Sequence, residues 1–237
     1  MELTLILFTI LIGALLIGVL LFGKRGGGGA RGGNKLLLFG PMGAGKTALY
    51  HQLRYGRAVP TLTSMQKSDA TFVFHAERAA SPRPAAVHVV DMPGTGRLRS
   101  QLLAEAAASS VLCCMVDATK LSTHAKEAAG MIFDVLSLEA VERRQPTLVV
   151  ALNKTDLPGC ASAQTARTLL AAEIQKVRLA RTTLQDTAGA ARAGGIGDRN
   201  APAFTFEGLR GGAHFVGTSA TQPNLGALTQ LVRKHLQ

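Results

Sequence analysis

The chain has 237 residues and a formal net charge of +11, with 47% hydrophobic and 17% charged residues. This composition can bury a core and excludes a wholly disordered chain, and the length allows one domain with an appendage. The three cysteines show no Cys-x-x-Cys spacing and predict neither a disulfide framework nor a structural metal site. We interpret them as small core residues of a reducing compartment, with the adjacent Cys113 and Cys114 on opposite faces of a strand.

Residues 3–22 form an uncharged apolar segment. A helix of about 20 residues spans about 30 Å, which is the thickness of the hydrocarbon core of a bilayer. Basic residues follow this segment directly, namely Lys24, Arg25, Arg31 and Lys35, whereas a cleaved signal peptide would have them before it. The positive-inside rule therefore predicts a single-pass transmembrane anchor, with the rest of the chain in the cytosol.

Two further segments are rich in glycine. Residues 23–33 (GKRGGGGARGG) predict a flexible juxtamembrane linker whose basic side chains are attracted to anionic headgroups. An RNA-binding Arg-Gly segment is the alternative, but aromatic residues do not interleave here. Residues 182–203 have no sustained period and predict an exposed, mobile insertion within a domain at 34–237.

Short β-like runs alternate with longer helical stretches from residue 34 onward. This alternation predicts an α/β fold with a mostly parallel six-stranded sheet and helices on both faces. We predict strands at 35–39, 71–75, 87–90, 111–116, 147–152 and 214–217. We predict helices at 46–55, 98–108, 125–142, 163–181 and 225–236.

The first predicted strand runs directly into a Gly-x-x-x-x-Gly-Lys-Thr pattern, which is typical of a phosphate-binding loop. Its residues are Gly40, Pro41, Met42, Gly43, Ala44, Gly45, Lys46 and Thr47, and Ala48 follows. Glycines let backbone N–H groups converge on phosphate oxygens, and the next helix directs its positive end to the same anion. Lys46 is predicted to neutralise the β- and γ-phosphates, and the Thr47 hydroxyl to bind Mg²⁺.

A second candidate motif, Asp91-Met92-Pro93-Gly94, ends the third predicted strand. Asp-x-x-Gly often forms only a turn, but downstream of a phosphate-binding loop it is a candidate nucleotide-binding motif. The Asp91 carboxylate is then expected to bind Mg²⁺ through water, and the Gly94 N–H to meet a γ-phosphate.

Asn153-Lys154-Thr155-Asp156 follows the fifth predicted strand and resembles the guanine-binding motif of the Arf/Ras-like small GTPase superfamily. The resemblance implies that Asp156 accepts two hydrogen bonds from the guanine edge and that the Lys154 stem lies along the base. Adenine offers an acceptor where the carboxylate needs a donor, so GTP and GDP are the expected ligands. Ser219-Ala220 resembles the motif whose backbone contacts the guanine oxygen.

The same resemblance assigns residues 61–64 to the first switch segment, which senses the triphosphate. Thr61, Thr63 and Ser64 are its candidate nucleotide-binding residues, and one hydroxyl is expected on Mg²⁺ in the triphosphate state. We favour Thr63 over Thr61 as that ligand.

Several short matches resemble the beta subunits of the signal recognition particle receptor. These are the N-terminal anchor in place of a lipid, Thr-x-Thr-Ser at 61–64, Asp-x-Pro-Gly at 91–94, the insertion at 182–203, and Phe204-Thr205-Phe206. The resemblance implies a GTP-binding protein of the endoplasmic reticulum membrane that holds the receptor's alpha subunit there for cotranslational targeting. It also implies proximity to the ribosome or translocon.

One residue departs from the superfamily pattern, because Thr95 follows Gly94 where a water-orienting Gln, or His in the receptor subunits, is usual. We expect slow intrinsic GTP hydrolysis, with Arg97 or Arg99 as candidates for a charge supplied in cis. An Arf-like or Rab-like GTPase of vesicle traffic is the alternative, although lipidation signals are missing. Without base-stacking aromatics, the positive charge does not predict sequence-specific nucleic-acid binding.

Overall fold

The structure is a computed structural model that describes residues 33–61, 64–79, 82–188, 196–197, 202–222 and 225–236. The predicted anchor at 3–22, nearly all of the linker at 23–33, and Thr63 lie outside the described residues. Within the described ranges, no helix combines the length and apolarity needed to cross a membrane.

The described chain alternates strands and helices as the sequence pattern predicts. In chain order the elements are β1 (Lys35–Phe39), α1 (Lys46–Tyr55), β2 (Ser68–Phe72), β3 (Val87–Asp91), α2 (Arg99–Ala107), β4 (Val111–Asp117), α3 (Leu121–Leu136), α4 (Glu139–Arg144), β5 (Thr147–Asn153), α5 (Ala163–Ala188), β6 (Ala213–Gly217) and α6 (Gly226–His235). The strand order is β2-β3-β1-β4-β5-β6. Only β2 runs antiparallel among these strands, so the predicted mostly parallel six-stranded α/β sheet is confirmed.

Alternating side chains of the central strands build a hydrophobic core on each face of the sheet. Leu37 and Phe39 of β1 pack with α2, α3, α4 and α5, whereas Leu36 and Leu38 pack with α1 and α6. The adjacent cysteines of β4 divide in the same way, as predicted, because successive strand residues point to opposite faces. Burial raises the pKa of the Cys113 thiol to about 12, so this thiol is an inert core group.

The second strand does not lie where the sequence predicted it. We expected 71–75 from its apolar residues, but β2 spans Ser68–Phe72 and is mostly exposed. Backbone pairing with β3 fixes this edge strand, with Phe72 opposite Val87. Phe74 is instead buried beyond the strand, next to a short 3-10 turn at His75–Glu77. Packing rather than strand pairing therefore explains the apolar run.

The predicted helix at 125–142 is two helices, α3 and α4. Ser137 ends α3, and its hydroxyl donates to the Phe133 carbonyl oxygen at 2.7 Å. Leu138 then adopts an extended backbone and packs against the core. Because Leu138 is apolar like its helical neighbours, the periodicity carries no sign of this break.

The predicted insertion at 182–203 is only partly described. The helix α5, expected to end at residue 181, continues to Ala188. The Ile196 side chain is buried in the core, and residues 189–195 and 198–201 lie outside the described residues.

The five parallel strands have their carboxyl ends at one end of the sheet and their amino ends at the other. Loops that leave β1, β3, β4, β5 and β6 meet at the carboxyl end, where Asp117 of β4 lies in register with Asn153 of β5. The chain enters β1 at the amino end, where the Asn34 side chain donates to the Ala86 carbonyl oxygen. Ligands of such α/β sheets bind at the carboxyl end.

Candidate nucleotide-binding site

Residues 40–45 form a loop between β1 and α1, and two of its glycines have backbone conformations that suit glycine alone. Gly40 has φ 134°, and a Cβ there would lie 2.2 Å from the Met115 carbonyl oxygen. Gly45 has φ 94°, and a Cβ there would lie 2.1 Å from the Asn153 side-chain amide. These positions let the loop curl tightly and direct the first N–H groups of α1 into the site.

The Lys46 ammonium group lies inside this loop and is almost fully buried. It donates to the carbonyl oxygens of Gly40 and Pro41, at 2.9 and 2.8 Å. Burial lowers the pKa of Lys46, and the nearby Asp91 carboxylate partly opposes this effect. An anion bound in the loop would strengthen the positive charge, since an opposite charge favours the protonated form.

Oxygen atoms from three separate segments meet beside Lys46. The Thr47 hydroxyl donates to Asp91 Oδ2 at 2.6 Å, and it lies 2.8 Å from the Ser64 hydroxyl oxygen. Asp91 Oδ1 is buried and has no hydrogen-bond partner among the described residues. Burial raises the pKa of Asp91 to about 6, while the Thr47 hydrogen bond and the Lys46 charge act against this.

Asn153 joins the phosphate-binding loop to the loop after β6. Its side-chain amide donates to the Ala44 carbonyl oxygen at 2.8 Å, and its side-chain oxygen accepts from the Ala220 N–H at 2.9 Å. The side chain is 2% exposed, so both bonds are shielded from water. Asn153 therefore fixes the distance between the two loops.

Lys154 is held by a residue that the sequence analysis missed. Its backbone has φ 64°, and its ammonium group donates to Asp117 Oδ2 at 2.5 Å. Burial raises the pKa of Asp117, but hydrogen bonds from Lys154 and Thr119 outweigh burial and hold that pKa below its usual value. Asp117 could have been identified from the sequence because it is the one charged residue of the otherwise apolar strand β4, where it pairs with Asn153.

These residues surround a cavity of about 390 Å³ at the carboxyl end of the sheet. Fourteen of the nineteen predicted site residues line it, namely Met42, Gly43, Gly45, Lys46, Thr47, Ala48, Thr61, Ser64, Gly94, Asn153, Lys154, Asp156, Ser219 and Ala220. Gly40, Pro41, Ala44 and Asp91 do not line it, and Thr63 lies outside the described residues. Pro93, Leu157 and Thr221 also line the cavity, although the sequence did not single them out as ligand contacts. Thr61 is exposed at its rim. The cavity therefore joins the loop after β1 to the loops after β5 and β6.

The segment after β3 lies against the phosphate-binding loop. A Cβ at Gly94 would lie 2.7 Å from the Met42 backbone nitrogen, so the two backbones are in close contact. Thr95 lines a different cavity, of about 480 Å³, between this segment and α3. Arg99 is ion-paired with Asp134 at 2.5 Å, and both residues line this second cavity.

Three features define a GTPase-like α/β domain. They are the strand order, the glycine-rich loop after β1, and the loops after β5 and β6 that line the same cavity. The sequence model described as "Signal recognition particle receptor beta subunit" matches residues 32–211. The chain therefore belongs to this family.

Curated relatives agree with this assignment. The chain is 28% identical over 153 residues to the mouse signal recognition particle receptor subunit beta, covering 64% of this chain and 55% of the relative. The Dictyostelium discoideum subunit is 24% identical over 150 residues, covering 63% of this chain and 49% of the relative. The chain thus spans about half the length of the curated relatives it matches.

Solved structures share the fold. A mammalian signal recognition particle receptor structure superposes with a TM-score of 0.70 at 24% identity, covering 84% of this chain and 98% of that chain. A complex from Chaetomium thermophilum, titled as SRb-GTP with SRX, gives a TM-score of 0.65 at 17% identity, covering 85% and 98%. A third, titled SRb-GDP-Mg from the same organism, gives 0.60 at 22%, covering 84% and 95%.

Proposed function

We propose that this chain binds GTP and GDP with Mg²⁺ in the cavity at the carboxyl end of the sheet. The observation that carries the proposal is the convergence of the loop around Lys46, Thr47 and Asn153 on one cavity, with Asp91 hydrogen-bonded to Thr47. The buried Lys46 ammonium and the α1 N–H groups provide the positive charge that a polyphosphate needs. The related Chaetomium thermophilum structures are described as SRb-GTP with SRX and as SRb-GDP-Mg.

A magnesium ion fits the oxygen cluster beside Lys46. Mg²⁺ prefers hydroxyl, carboxylate and water oxygens, and Thr47, Ser64 and Asp91 provide the first two types. The unpartnered Asp91 Oδ1 offers an acceptor for a metal-bound water. We assign Thr47 as a direct ligand and Asp91 as a ligand through water, with Ser64 joining Thr63 as a candidate from the first switch segment. The ion would neutralise phosphate charge.

Guanine specificity is assigned to Asp156, supported by Lys154, Ser219 and Ala220. Asp156 is exposed at the cavity wall, and its ionised carboxylate accepts but does not donate hydrogen bonds, so it pairs with a base edge that presents donors. The bond between Lys154 and Asp117 positions the lysine stem at the same wall. Guanine presents two donors at this edge, whereas adenine presents an acceptor where the carboxylate needs a donor, which favours GTP over ATP.

We further propose that the chain is the membrane-anchored beta subunit of a signal recognition particle receptor. Residues 3–22 would anchor it in the endoplasmic reticulum membrane, with the domain in the cytosol, where its GTP state recruits the receptor's alpha subunit for protein targeting. Support comes from family membership, from the fungal complex titled with SRX, and from exposed apolar side chains near the cavity, Met42 at 47% and Met65 at 69%. Such side chains are frequent anchors of protein interfaces.

Hydrolysis by this chain alone is expected to be slow. Thr95 stands where a longer side chain usually orients the attacking water, and it lines a cavity other than the nucleotide pocket. Arg99 pairs with Asp134 beside that second cavity, which does not favour Arg99 as the source of a charge in cis. A long-lived GTP state suits a protein that holds a partner at a membrane.

A nucleotide-dependent capture experiment tests this proposal. The purified full chain in detergent is loaded with GTP, GDP or no nucleotide and incubated with membrane extract. We expect the receptor's alpha subunit to be retained with GTP and not with the other two samples. Retention of vesicle coat or tethering proteins instead would assign the chain to vesicle traffic, and retention independent of nucleotide would contradict a GTP-dependent function.

A further inference from the structure

Exposed basic side chains collect at the amino end of the sheet, opposite the nucleotide cavity. We define the basic end as Arg57, Arg78, Arg83, Arg143, Arg210 and Lys234, all of which are exposed. Arg143 and Arg210 lie just before β5 and β6, and Lys234 lies in the last turn of α6. Elements from distant parts of the sequence thus present the same charge at one end of the domain.

Hydrogen bonds fix these elements to one another. Arg78 donates to the Arg54 carbonyl oxygen in the last turn of α1, at 2.8 Å. Arg233, next to Lys234, donates to the Ala85 carbonyl oxygen at 2.6 Å, close to the start of β3. Arg144 donates to the Ala107 carbonyl oxygen at 3.0 Å, close to the start of β4. The basic end is therefore a defined surface rather than a set of independent loops.

Acidic groups at this end do not cancel the charge. Glu77 is occupied by the Arg233 guanidinium group. Glu139 lies 3.7 Å from Arg143, but this pair is largely exposed, with side-chain exposures of 81% and 72%, and is screened by water. Glu142 is a second acidic residue of α4, and Glu105 of α2 is ion-paired with Lys35 at the start of β1.

The start of the domain identifies the partner of this surface. Gly33 and Asn34 lie at the same end, because the Ser110 hydroxyl donates to the Gly33 carbonyl oxygen and Asn34 bonds Ala86. A connection as long as residues 23–33 spans at most about 40 Å, so an anchor at 3–22 keeps this end near the membrane. Charge complementarity then favours anionic lipid headgroups, which attract each nearby Lys or Arg.

We propose that the basic end docks on anionic headgroups of the membrane that holds the chain, so that the nucleotide cavity faces away from the bilayer. This inference rests on the proposed membrane anchor. Docking limits the orientations of the domain and leaves the carboxyl end open to a cytosolic partner. Each charge removed from the basic end is expected to lower the population of the docked state about fivefold at low salt.

Amide hydrogen exchange of the full chain in lipid nanodiscs tests this proposal. Phosphatidylcholine discs are compared with discs that also contain phosphatidylserine. We expect slower exchange in anionic discs at 82–87 and 208–213, no change at 153–157, and loss of the protection between about 0.1 and 1 M salt, where screening shortens from about 10 to 3 Å. Equal exchange in the two discs would overturn the proposal.

Matched charge reversals identify the surface. The test variant changes residues of the basic end, R143E, R210E and K234E, and the control carries the same charge change elsewhere, K120E, K126E and K176E. Only the test variant should lose the slower amide exchange in anionic discs. If exchange in the test variant kept the salt dependence of the unmodified chain, the assignment of the surface would be overturned. The salt titration of the unmodified chain remains decisive if a variant misfolds. Protection by added RNA on neutral discs, without protection by anionic discs, would also overturn the proposal.

Vesicle flotation separates this proposal from the anchor on which it rests. Flotation with neutral vesicles supports the anchor. Slower amide exchange in anionic discs than in neutral discs then supports docking. Flotation only with anionic vesicles at low salt would contradict the anchor and support docking by the basic end. Flotation with neither kind of vesicle would contradict both.

Discussion

The side chain of Asn153 provides the sharpest test of how the site is assembled. The Asn153→Ala variant loses both bonds that join Ala44 to Ala220, at 2.8 and 2.9 Å. A buried hydrogen bond contributes about 1 kcal/mol, and each backbone group left without a partner costs about 1–3 kcal/mol. We therefore expect the free energy of unfolding to fall by about 3 kcal/mol.

The assay is thermal unfolding of the full chain in detergent, with EDTA and without nucleotide, so that ligand binding does not contribute. At about 2–4 °C per kcal/mol for a domain of this size, Tm should fall by about 6–12 °C. Thr155→Ala is the matched control, because Thr155 is exposed and loses one bond, to the Thr218 carbonyl oxygen at 3.0 Å. Its Tm should fall by less than about 4 °C.

Nucleotide binding supplies a second readout of the Asn153→Ala variant. Once the phosphate-binding and base-binding loops are no longer joined, GDP should dissociate at least about tenfold faster, which corresponds to 1.4 kcal/mol. A Tm equal to that of the Thr155 control, together with unchanged GDP dissociation, would refute the reasoning that Asn153 holds the two loops in place.

Three further variants test separate parts of the account. Gly94→Ala places a Cβ 2.7 Å from the Met42 backbone nitrogen, so thermal unfolding should show that the free energy of unfolding falls by about 1–3 kcal/mol. Gly96→Ala is the control, because the space around Gly96 is open, and its free energy of unfolding should fall by less than about 1 kcal/mol. Equal losses would contradict the close contact at Gly94. Asp117→Asn should lower stability by about 1 kcal/mol at pH 7, because it removes an ionised partner of a lysine. Since the folded-state pKa of Asp117 is lowered, denaturant titrations should show this difference above pH 4 and its loss as pH falls further; a difference that persists at pH 2 would contradict the ion pair. Met65→Asp should weaken GTP-dependent capture of the alpha subunit without changing GDP affinity. Leu179→Asp, at an apolar residue of α5 that is 58% exposed, should leave capture unchanged, and equal capture by both variants would contradict an interface at Met65.

Most of the fold could be predicted from the sequence because the central strands are fully buried. Strands such as β4 and β5 read as continuous apolar runs, and the glycine-rich loop after β1 marks the phosphate-binding end. The edge strand β2 was misplaced because its position depends on backbone pairing with β3. The break at Ser137 was missed because a side-chain cap leaves no trace in hydrophobic periodicity.

The candidate site was predictable where its residues form contiguous motifs and not where contacts join distant segments. The loop around Lys46 and the Asn153–Asp156 motif were found from local spacing, and the structure places both around one cavity. Asp117 was missed because its role depends on the register between β4 and β5. The contact between Ser64 and Thr47 likewise spans segments whose proximity no local pattern encodes.

A calorimetric titration of the full chain with GDP and ADP in Mg²⁺, repeated with Lys46→Ala, tests the central claim most directly. We predict tight GDP binding, a preference over ADP of about 10⁴-fold, and a loss of at least about tenfold in GDP affinity when the buried ammonium is removed. Equal affinity for GDP and ADP, or GDP binding that Lys46→Ala leaves unchanged, would contradict the assignment of the cavity as a guanine-nucleotide site.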